Sequence, residues 1–396
     1  MTKTLSSSKV PVLILGTGLT ALGVMRAFGR KGIPTYLMSN EADNSLIRFS
    51  RWFRPAGQRN QATRERLLEF LDNGSLEQAV LMPCSDPWVE AVARLPRTLS
   101  KVFPSTVASQ ETIAVFLDKG LLAQALTKLE LPHPRTIPVS TPDDFVDLPD
   151  SAFINFIFKP CNSYRFSKRF GVKAFRIRDR DDAIKRSDQI LREGLSVVLQ
   201  EYIPGPPTAH YFIDGFIDRA GTVRALFARR RLRMYPSGLG NSTYLVSIPI
   251  TDVNQAVETL LRLLRSTNYR GIFSSEFKYD ERDGEFKVLE VNVRPWWYIE
   301  FAQRCNVDIC GLAYKDALGQ PLENIYCYKI GQHCIYIYLD FWAYLTRGRK
   351  TEKLSFIFGS WLKSEPLPFS WDDPAPSVAQ FISMFSHWLI RRSVSQ

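Results

Sequence analysis

Residues 271–296, GIFSSEFKYDERDGEFKVLEVNVRPW, decide the fold of the second half of the chain. Asp283 and Gly284 form the residue pair that is most typical of a two-residue hairpin turn. On either side, residues 272–279 and 286–293 alternate apolar and polar side chains, as half-buried strands do. The stretch therefore predicts an antiparallel hairpin with one polar and one apolar face.

The polar face of this hairpin carries residues that suit a metal site. A period of two places Glu276 and Lys278 on one face, and Glu290, Asn292 and Arg294 together on the partner strand. Carboxylate and amide oxygens are the ligands that Mg²⁺ prefers in proteins. The pattern predicts a site for Mg²⁺ and phosphate, with a solvated face of cross-strand ion pairs as the alternative.

Most segments between residue 152 and this hairpin also read as antiparallel strands, with helices between them. The predicted strands are 153–160, 172–178, 196–203, 210–218 and 223–235, and the predicted helices are 118–129, 181–193 and 251–266. The proline-rich stretch LPHPRTIPVSTP, residues 131–142, reads as a connection. This part is therefore expected to be α+β.

The first 115 residues follow the pattern of a parallel α/β sheet instead. Residues 10–16, 34–39 and 78–84 read as its strands. The turn GTGLTALG after the first strand has the context of a dinucleotide fingerprint, but no acidic residue ends the second strand at Ser39. An NAD(P)-linked oxidoreductase stays an alternative, and a structural or small-substrate role for the turn is favoured.

Three lysines precede the hairpin at positions where phosphate can be bound. Lys119 opens a helix, Lys159 ends a strand, and Lys173 follows the loop CNSYRFSKRFG. A lysine at a strand end meets phosphate oxygens as a point charge. For each of the three taken singly, a solvated surface residue is the favoured interpretation, and it is their order with the Glu-Asn-Arg strand that indicates phosphate binding.

Further polar residues follow the strand at 196–203 and occupy the strand at 223–235. Glu201 is placed to contact a ribose hydroxyl, and His210 to contact phosphate, with structural roles as the alternatives. Arg229, Arg231 and Arg233 share a strand face that could clamp a carboxylate or an acyl phosphate. A nucleic-acid patch is the other interpretation, but no nucleic-acid-binding motif accompanies it, so no nucleic-acid partner is expected.

The order of these features resembles the ATP-grasp superfamily, and more narrowly the carboxylate–amine ligases near D-aspartate ligase. The matching features are Lys119 in DKG, Lys159 in FKP, Lys173, Glu201 in QEYIPG, Glu276 in SEF and EVNVR at 290–294. The resemblance covers about residues 10–310, including Asp86 in PCSDPWVE, and RRRLRMYPSGLGNST is similar to a stretch that lies by the active site in that subgroup.

The resemblance implies an α/β and α+β architecture in four parts. These are a Rossmann-like pre-ATP-grasp domain at 1–115, ATP-grasp subdomain A at 116–195, subdomain B with the metal site at 196–325, and an aromatic-rich C-terminal extension at 326–396. It also implies an ATP-dependent ligase that converts a carboxylate into an acyl phosphate and joins it to an amine. A non-catalytic nucleotide sensor on the same fold is the alternative.

The resemblance also implies a role for each candidate site residue. ATP would contact Lys119, Lys159, Lys173, Glu201 and His210; Mg²⁺ or Mn²⁺ would be held by Glu276, Glu290 and Asn292; Arg294 and Arg231 would stabilise the charge of the reacting centre. The chain departs from the family in its phosphate loop, residues 161–171, which has a single glycine and carries Arg165, Lys168 and Arg169.

Composition limits the class of protein without identifying it. The 396 residues carry a net charge of +11, which favours anionic partners, and six cysteines without metal-ligand spacing. No signal peptide and no apolar run long enough to span a bilayer is recognised, so a cytoplasmic location is expected. A homodimer is a candidate assembly.

The aromatic extension from about residue 326 has two interpretations. Trp342, Trp361 and Trp388 with Arg391 and Arg392 could rest on an anionic membrane surface. Packing of these aromatic side chains onto the catalytic body is the favoured interpretation.

Overall fold

The computed structural model describes residues 9–39, 46–56, 64–74, 76–161, 163–344 and 354–383. Their strands form three sheets. The N-terminal sheet is parallel, in the order β2-β1-β3. Its strands are β1 (Val12–Leu15), β2 (Thr35–Met38) and β3 (Val80–Pro83).

A small antiparallel sheet follows, in the order β4-β7-β5-β6. Its strands are β4 (Thr136–Val139), β5 (Phe156–Pro160), β6 (Phe175–Arg176) and β7 (Val197–Glu201). Apolar side chains on one face of this sheet form a separate core with the helices that cover it.

The large sheet has seven strands in the order β12-β11-β8-β9-β10-β13-β14. Its strands are β8 (His210–Ile217), β9 (Val223–Tyr235), β10 (Asn241–Ile248), β11 (Gly271–Asp280), β12 (Glu285–Asn292), β13 (His333–Tyr336) and β14 (Ser364–Leu367). One of its faces packs against the N-terminal sheet's helices, because both contribute to one core.

The helices cover these sheets. They are α1 (Gly18–Gly29), α2 (Arg64–Asp72), α3 (Asp86–Ala93), α4 (Arg97–Val102), α5 (Gln110–Leu117), α6 (Lys119–Lys128), α7 (Ser163–Phe170), α8 (Arg180–Arg192), α9 (Asn254–Ser266), α10 (Ile299–Arg304), α11 (Ile309–Ala317), α12 (Ile337–Ala343) and α13 (Leu354–Leu362).

The hairpin predicted from residues 271–296 is confirmed as β11 and β12, and Val291 and Val293 are buried as expected. The turn differs from the expectation, since four residues, 281–284, connect the strands instead of the pair Asp283-Gly284 alone. A bulge between Glu276 and Phe277 of β11 and their partners changes the alternation in β12. Val288 is therefore buried and Leu289 only half-buried, although strict alternation would bury Leu289.

Two predictions were wrong. The segment expected to be a phosphate loop, residues 161–171, contains α7, because Phe166 and Phe170 have helical spacing and pack on Phe175 in the core of the small sheet. The proline-rich connection contains β4, whose residues pair with β7 at the edge of the sheet, where a proline is tolerated.

The C-terminal extension is integrated into the rest of the molecule. β13 and β14 extend the large sheet beyond β10. Arg26 of α1 is fully buried and donates to Glu300, to Asp373 and to the Pro368 carbonyl. Trp361 donates to Asp340 within the extension, and Asp340 in turn accepts from Arg233 of β9. Trp388, Arg391 and Arg392 lie outside the described residues.

Candidate active site

A cavity of about 530 Å³ lies between the small sheet and the large sheet. It collects residues from distant parts of the sequence, which only this arrangement of sheets brings together. All ten candidate site residues line it: Lys119, Lys159, Lys173, Glu201, His210, Arg231, Glu276, Glu290, Asn292 and Arg294.

The large sheet places the candidate metal ligands side by side. Glu276 of β11 lies directly opposite Glu290 of β12, and Asn292 lies opposite Ser274. Glu290 forms no salt bridge with a described residue. The bulge also brings Leu289 to the cavity, so this wall combines two carboxylates, an amide and an apolar contact.

Glu276 is held by two neighbours from the adjoining strands. His210 donates through Nδ1 to Glu276 Oε1 at 2.7 Å, and Arg231 Nη2 donates to the same oxygen at 3.0 Å. Burial alone would raise the pKa of Glu276, but the Arg231 guanidinium and His210 bring it well below its usual range. Burial lowers the pKa of His210, so the ring is neutral near pH 7.

The donor set suits a hard divalent cation that also binds phosphate. Within the described ranges, no group of three or more His, Cys, Asp or Glu side chains is arranged to hold a metal ion. Glu276, Glu290 and Asn292 instead offer two carboxylates and one amide oxygen, and Mg²⁺ commonly completes such a set with phosphate oxygens and water. The residues present therefore fit Mg²⁺ or Mn²⁺ that arrives with a nucleotide.

The arginine stripe of β9 does not act as one clamp. Arg229 is buried against Asp214 at 2.7 Å and lies over the Phe212 ring. Arg233 pairs with Asp340 of α12 at 2.7 Å and does not line the cavity. Arg231, between them, reaches the cavity through its contact with Glu276.

Arg294 connects the metal-ligand strand to the N-terminal part of the chain. Its Nε donates to Asp86 Oδ1 at 2.6 Å, at the start of α3, and its Nη2 donates to Asn292 Oδ1 at 3.2 Å. These two bonds fix the direction of the guanidinium. Arg294 therefore keeps its position beside the candidate metal ligands.

The small sheet brings lysines to the opposite wall. Lys159 ends β5, and Lys119 is the first residue of α6, which Asp118 caps through the Gly120 and Leu121 amides. Neither lysine forms a salt bridge with a described residue. Lys173 donates to Asn241 Oδ1 of β10, and so links the two walls.

Glu201 ends β7 at the junction of the two sheets. One of its carboxylate oxygens accepts from Arg282 at 2.7 Å and the other from the Arg135 amide at 3.3 Å. The following residue, Tyr202, has the Arg176 guanidinium 4.4 Å from its ring centre.

Lys278 is a cavity residue for which the sequence analysis predicted no role. It is buried, lines the cavity, and its ammonium lies 4.9 Å from the centre of the Tyr202 ring. Burial, together with the nearby Arg231, lowers the pKa of Lys278 to about 8. The period of two that placed it beside Glu276 was the available signal.

The N-terminal sheet also contributes to the cavity. Gly16 and Gly18 have positive φ angles of 133° and 69°, so the glycine turn leads directly into α1. Thr20 in the first turn of α1 and Cys84 after β3 both line the cavity. The favoured interpretation of this turn, a structural or small-substrate role, stays a prediction.

Comparisons with known proteins agree with this geometry. No family model matches the sequence. The chain is 25% identical over 242 residues to D-aspartate ligase of Enterococcus faecium. This match covers 59% of this chain and 57% of that protein. It is also 21% identical over 226 residues to D-alanine--D-alanine ligase of Acidiphilium cryptum, and this match covers 57% of this chain and 72% of that protein.

Solved structures have the same fold at low sequence identity. L-amino acid ligase from Bacillus licheniformis matches with a TM-score of 0.60 and 14% identity, over 80% of this chain and 76% of that one. An ADP complex of the N5-carboxyaminoimidazole ribonucleotide synthetase purK matches with a TM-score of 0.63 and 13% identity, over 84% of each chain.

The resemblance to ATP-grasp ligases is thus confirmed in sequence and in fold. The chain spans a little over half the length of the D-aspartate ligase that it matches. None of the helices in the described ranges is long and apolar enough to cross a membrane. Contact with a membrane surface, a homodimer, a cytoplasmic location and the absence of a nucleic-acid partner stay predictions.

Proposed function

We propose that this chain is an ATP-dependent ligase that joins a carboxylate to an amine, with an acyl phosphate as the intermediate. The single observation that carries the proposal is the meeting of all ten candidate residues in one cavity. They come from the small sheet, the large sheet, the segments next to these sheets and α6, and five of them are positively charged at neutral pH. A polyphosphate and a carboxylate are the ligands that such a set attracts.

The small-sheet wall is proposed to bind the nucleotide. Lys159, Lys119 and Lys173 are suited to the phosphate oxygens, because each ends in an ammonium near the cavity. The backbone after Glu201 and the apolar side chains Ile157 and Leu289 are suited to the base. Glu201 is suited to the ribose hydroxyls.

The large-sheet wall is proposed to carry out the chemistry. Glu276, Glu290 and Asn292 would hold Mg²⁺ or Mn²⁺, which would neutralise phosphate charge during transfer. A carboxylate oxygen of the substrate attacks the γ-phosphorus of ATP, the bond to the β–γ bridging oxygen breaks, and ADP leaves.

The second step forms the amide. The amine nitrogen attacks the acyl carbon, phosphate leaves, and the nitrogen loses a proton. Arg294 and Arg231 are placed to donate hydrogen bonds to the oxygens on which negative charge develops. Positioning and electrostatic stabilisation suffice for both steps, so no protein nucleophile is required.

The test is the release of ADP and phosphate from Mg·ATP in the presence of pooled carboxylates and amines. We expect release that requires both pools and falls by about 100-fold or more in Glu290→Gln, because a metal ligand is lost. The control is Glu285→Gln, at the hairpin end of the same strand, where Glu285 pairs with Lys287.

The outcomes separate the alternatives. Tight Mg·ATP binding without ADP release from any pool would favour the nucleotide sensor. The absence of Mg·ATP binding together with binding of NAD(H) would contradict the proposal and favour the oxidoreductase.

A further inference from the structure

Part of the cavity lining is aromatic and apolar and comes from two segments of the chain, the end of β9 with the turn after it and residues 296–298. The side chains of Met234, Leu239, Trp296, Trp297 and Tyr298 form this part. We call these five residues the aromatic wall. Trp296 follows the candidate catalytic Arg294 by two residues in the chain, and Tyr298 contacts Ser242, which lies opposite Met234 in the large sheet.

The aromatic wall is held in place by contacts with the large sheet and with the C-terminal extension. Tyr298 donates its hydroxyl to the Ser242 carbonyl of β10, and Trp296 and Tyr298 are almost completely buried. Trp297 is half-buried and packs against Tyr336 of β13, with ring centres 5.6 Å apart. The C-terminal extension thus supports the wall from outside the cavity.

Charges near the aromatic wall are already compensated within the protein. Arg229 lies 5.8 Å and 5.6 Å from the ring centres of Trp296 and Tyr298, but it is paired with Asp214. Arg294 is paired with Asp86. The five residues of the aromatic wall are themselves uncharged, so a charged substrate side chain would find no opposite charge among them.

One polar atom of the aromatic wall has no protein partner. The Trp296 indole nitrogen is buried and donates to no acceptor among the described residues. Buried N–H groups without an acceptor are rare in folded proteins, because the loss of hydration is not offset. A ligand in the cavity is the available source of an acceptor.

We propose that the aromatic wall receives the large apolar side chain of the carboxylate substrate, and that the Trp296 indole N–H donates to an oxygen of the same molecule. The proposal rests on the ligase function, which requires a carboxylate beside Arg294. It narrows the substrate class to amino acids and related acids with phenylalanine-, leucine- or methionine-type side chains.

The experiment measures binding and turnover with one panel of acids. Phenylalanine, leucine and methionine are compared with glycine and aspartate, each in both enantiomers where they exist. Binding is measured by calorimetry on the full chain with Mg·ADP, and turnover by ADP release with a pooled amine. We expect at least about a tenfold preference for the large apolar acids, because apolar pockets discriminate by about that factor or more.

Variants separate selectivity from general damage. Trp297→Ala and Leu239→Ala should lower the preference for phenylalanine over glycine by about tenfold, while the affinity for Mg·ADP stays unchanged. Trp296→Phe keeps the ring but removes the donor, so it should weaken all acids while the preference among them remains. Trp371→Ala, which removes an exposed tryptophan of the extension, is the matched control and should change neither.

The outcomes distinguish this proposal from the ligase function. ADP release that favours aspartate or glycine would overturn the aromatic-wall proposal and leave the ligase standing. Selective phenylalanine binding without ADP release would support the aromatic wall and contradict the ligase. Equal losses for every acid in both Trp297→Ala and Leu239→Ala would also overturn the proposal.

Discussion

The two walls of the cavity differ in how their charges are satisfied. On the large-sheet wall, Glu276 contacts both Arg231 and His210, and Arg294 contacts Asp86, so these groups are held by partners in the protein. Glu290 is the exception, since it forms no salt bridge with a described residue. On the small-sheet wall, Lys119 and Lys159 form no salt bridge with a described residue.

This difference assigns separate tasks to the walls. Groups that are fixed before the ligand arrives can stabilise a transition state without reorganising, and this is a main source of catalytic power. Lysines without a protein partner gain theirs from the ligand, so they contribute to affinity. This difference supports the proposal that the large-sheet wall carries out the chemistry and the small-sheet wall binds the nucleotide.

The large-sheet wall is also anchored more firmly. Glu300, at the start of α10 just after the aromatic wall, is buried among Arg26, Arg30 and Arg304. Glu300→Gln should lower the free energy of unfolding by about 1–3 kcal/mol at pH 7, because it removes the buried carboxylate that the three guanidinium groups share. Each guanidinium keeps a second carboxylate, namely Asp373, Asp372 or Glu365. Chemical denaturation of wild type and variant measures this loss.

The same residue gives a pH dependence with a definite sign. Burial would raise the pKa of Glu300, but its three arginines bring it below the ordinary value of 4.5. Its stabilising contribution is therefore present above pH 4.5 and is lost as the pH falls through the lower value in the folded state. The difference between wild type and Glu300→Gln should shrink at acid pH, and a difference independent of pH would contradict the assignment.

Arg294→Met should separate catalysis from nucleotide binding. We expect kcat to fall by about 10²- to 10³-fold, as for the loss of an oxyanion donor, with the Kd of Mg·ATP unchanged. Steady-state kinetics and calorimetry measure the two quantities. Asp86→Asn keeps the Arg294 guanidinium but weakens its positioning, so this variant should lose less kcat than Arg294→Met. If Arg294→Met instead bound Mg·ATP more weakly and kept a normal kcat, the proposed distinction between the two walls would be wrong.

Lys159→Met should have the opposite signature. Burial lowers the pKa of Lys159, and the nearby Glu290 carboxylate partly offsets this effect. Lys159 lines the cavity and forms no salt bridge with a described residue. Loss of its charge-assisted bonds to phosphate should weaken Mg·ATP binding by about 10- to 100-fold. Lys185→Met, on the exposed face of α8, is the control, and calorimetry that finds equal Kd values for both variants would contradict a role in phosphate binding.

Local patterns predicted the large-sheet wall better than the small-sheet wall. A period of two and the Asp283-Gly284 turn fixed the faces of β11 and β12, and thereby the positions of Glu276, Glu290 and Asn292. The bulge that exposes Leu289 was not predictable, because it depends on how the two strands pair. The segment that forms α7 was predicted to be a loop, because the resemblance to the family implied a phosphate loop there. The helical spacing of Phe166 and Phe170 was the signal that predicts the helix instead.

Long-range contacts account for the other gaps. The separation of Arg233 from the cavity depends on Asp340, more than 100 residues away in the sequence. The bracing of Trp297 depends on β13, which joins the large sheet through β10. Neither contact has a local signature, so the role of the extension is visible only in the folded molecule.

The most direct test of the account follows oxygen atoms through the reaction. The carboxylate that supports ADP release is labelled with ¹⁸O in both oxygens, and the products are analysed by mass spectrometry after turnover with an amine. Transfer of one labelled oxygen into the released phosphate is the predicted result, because the carboxylate attacks the γ-phosphorus. Labelled AMP, or phosphate without label, would contradict it.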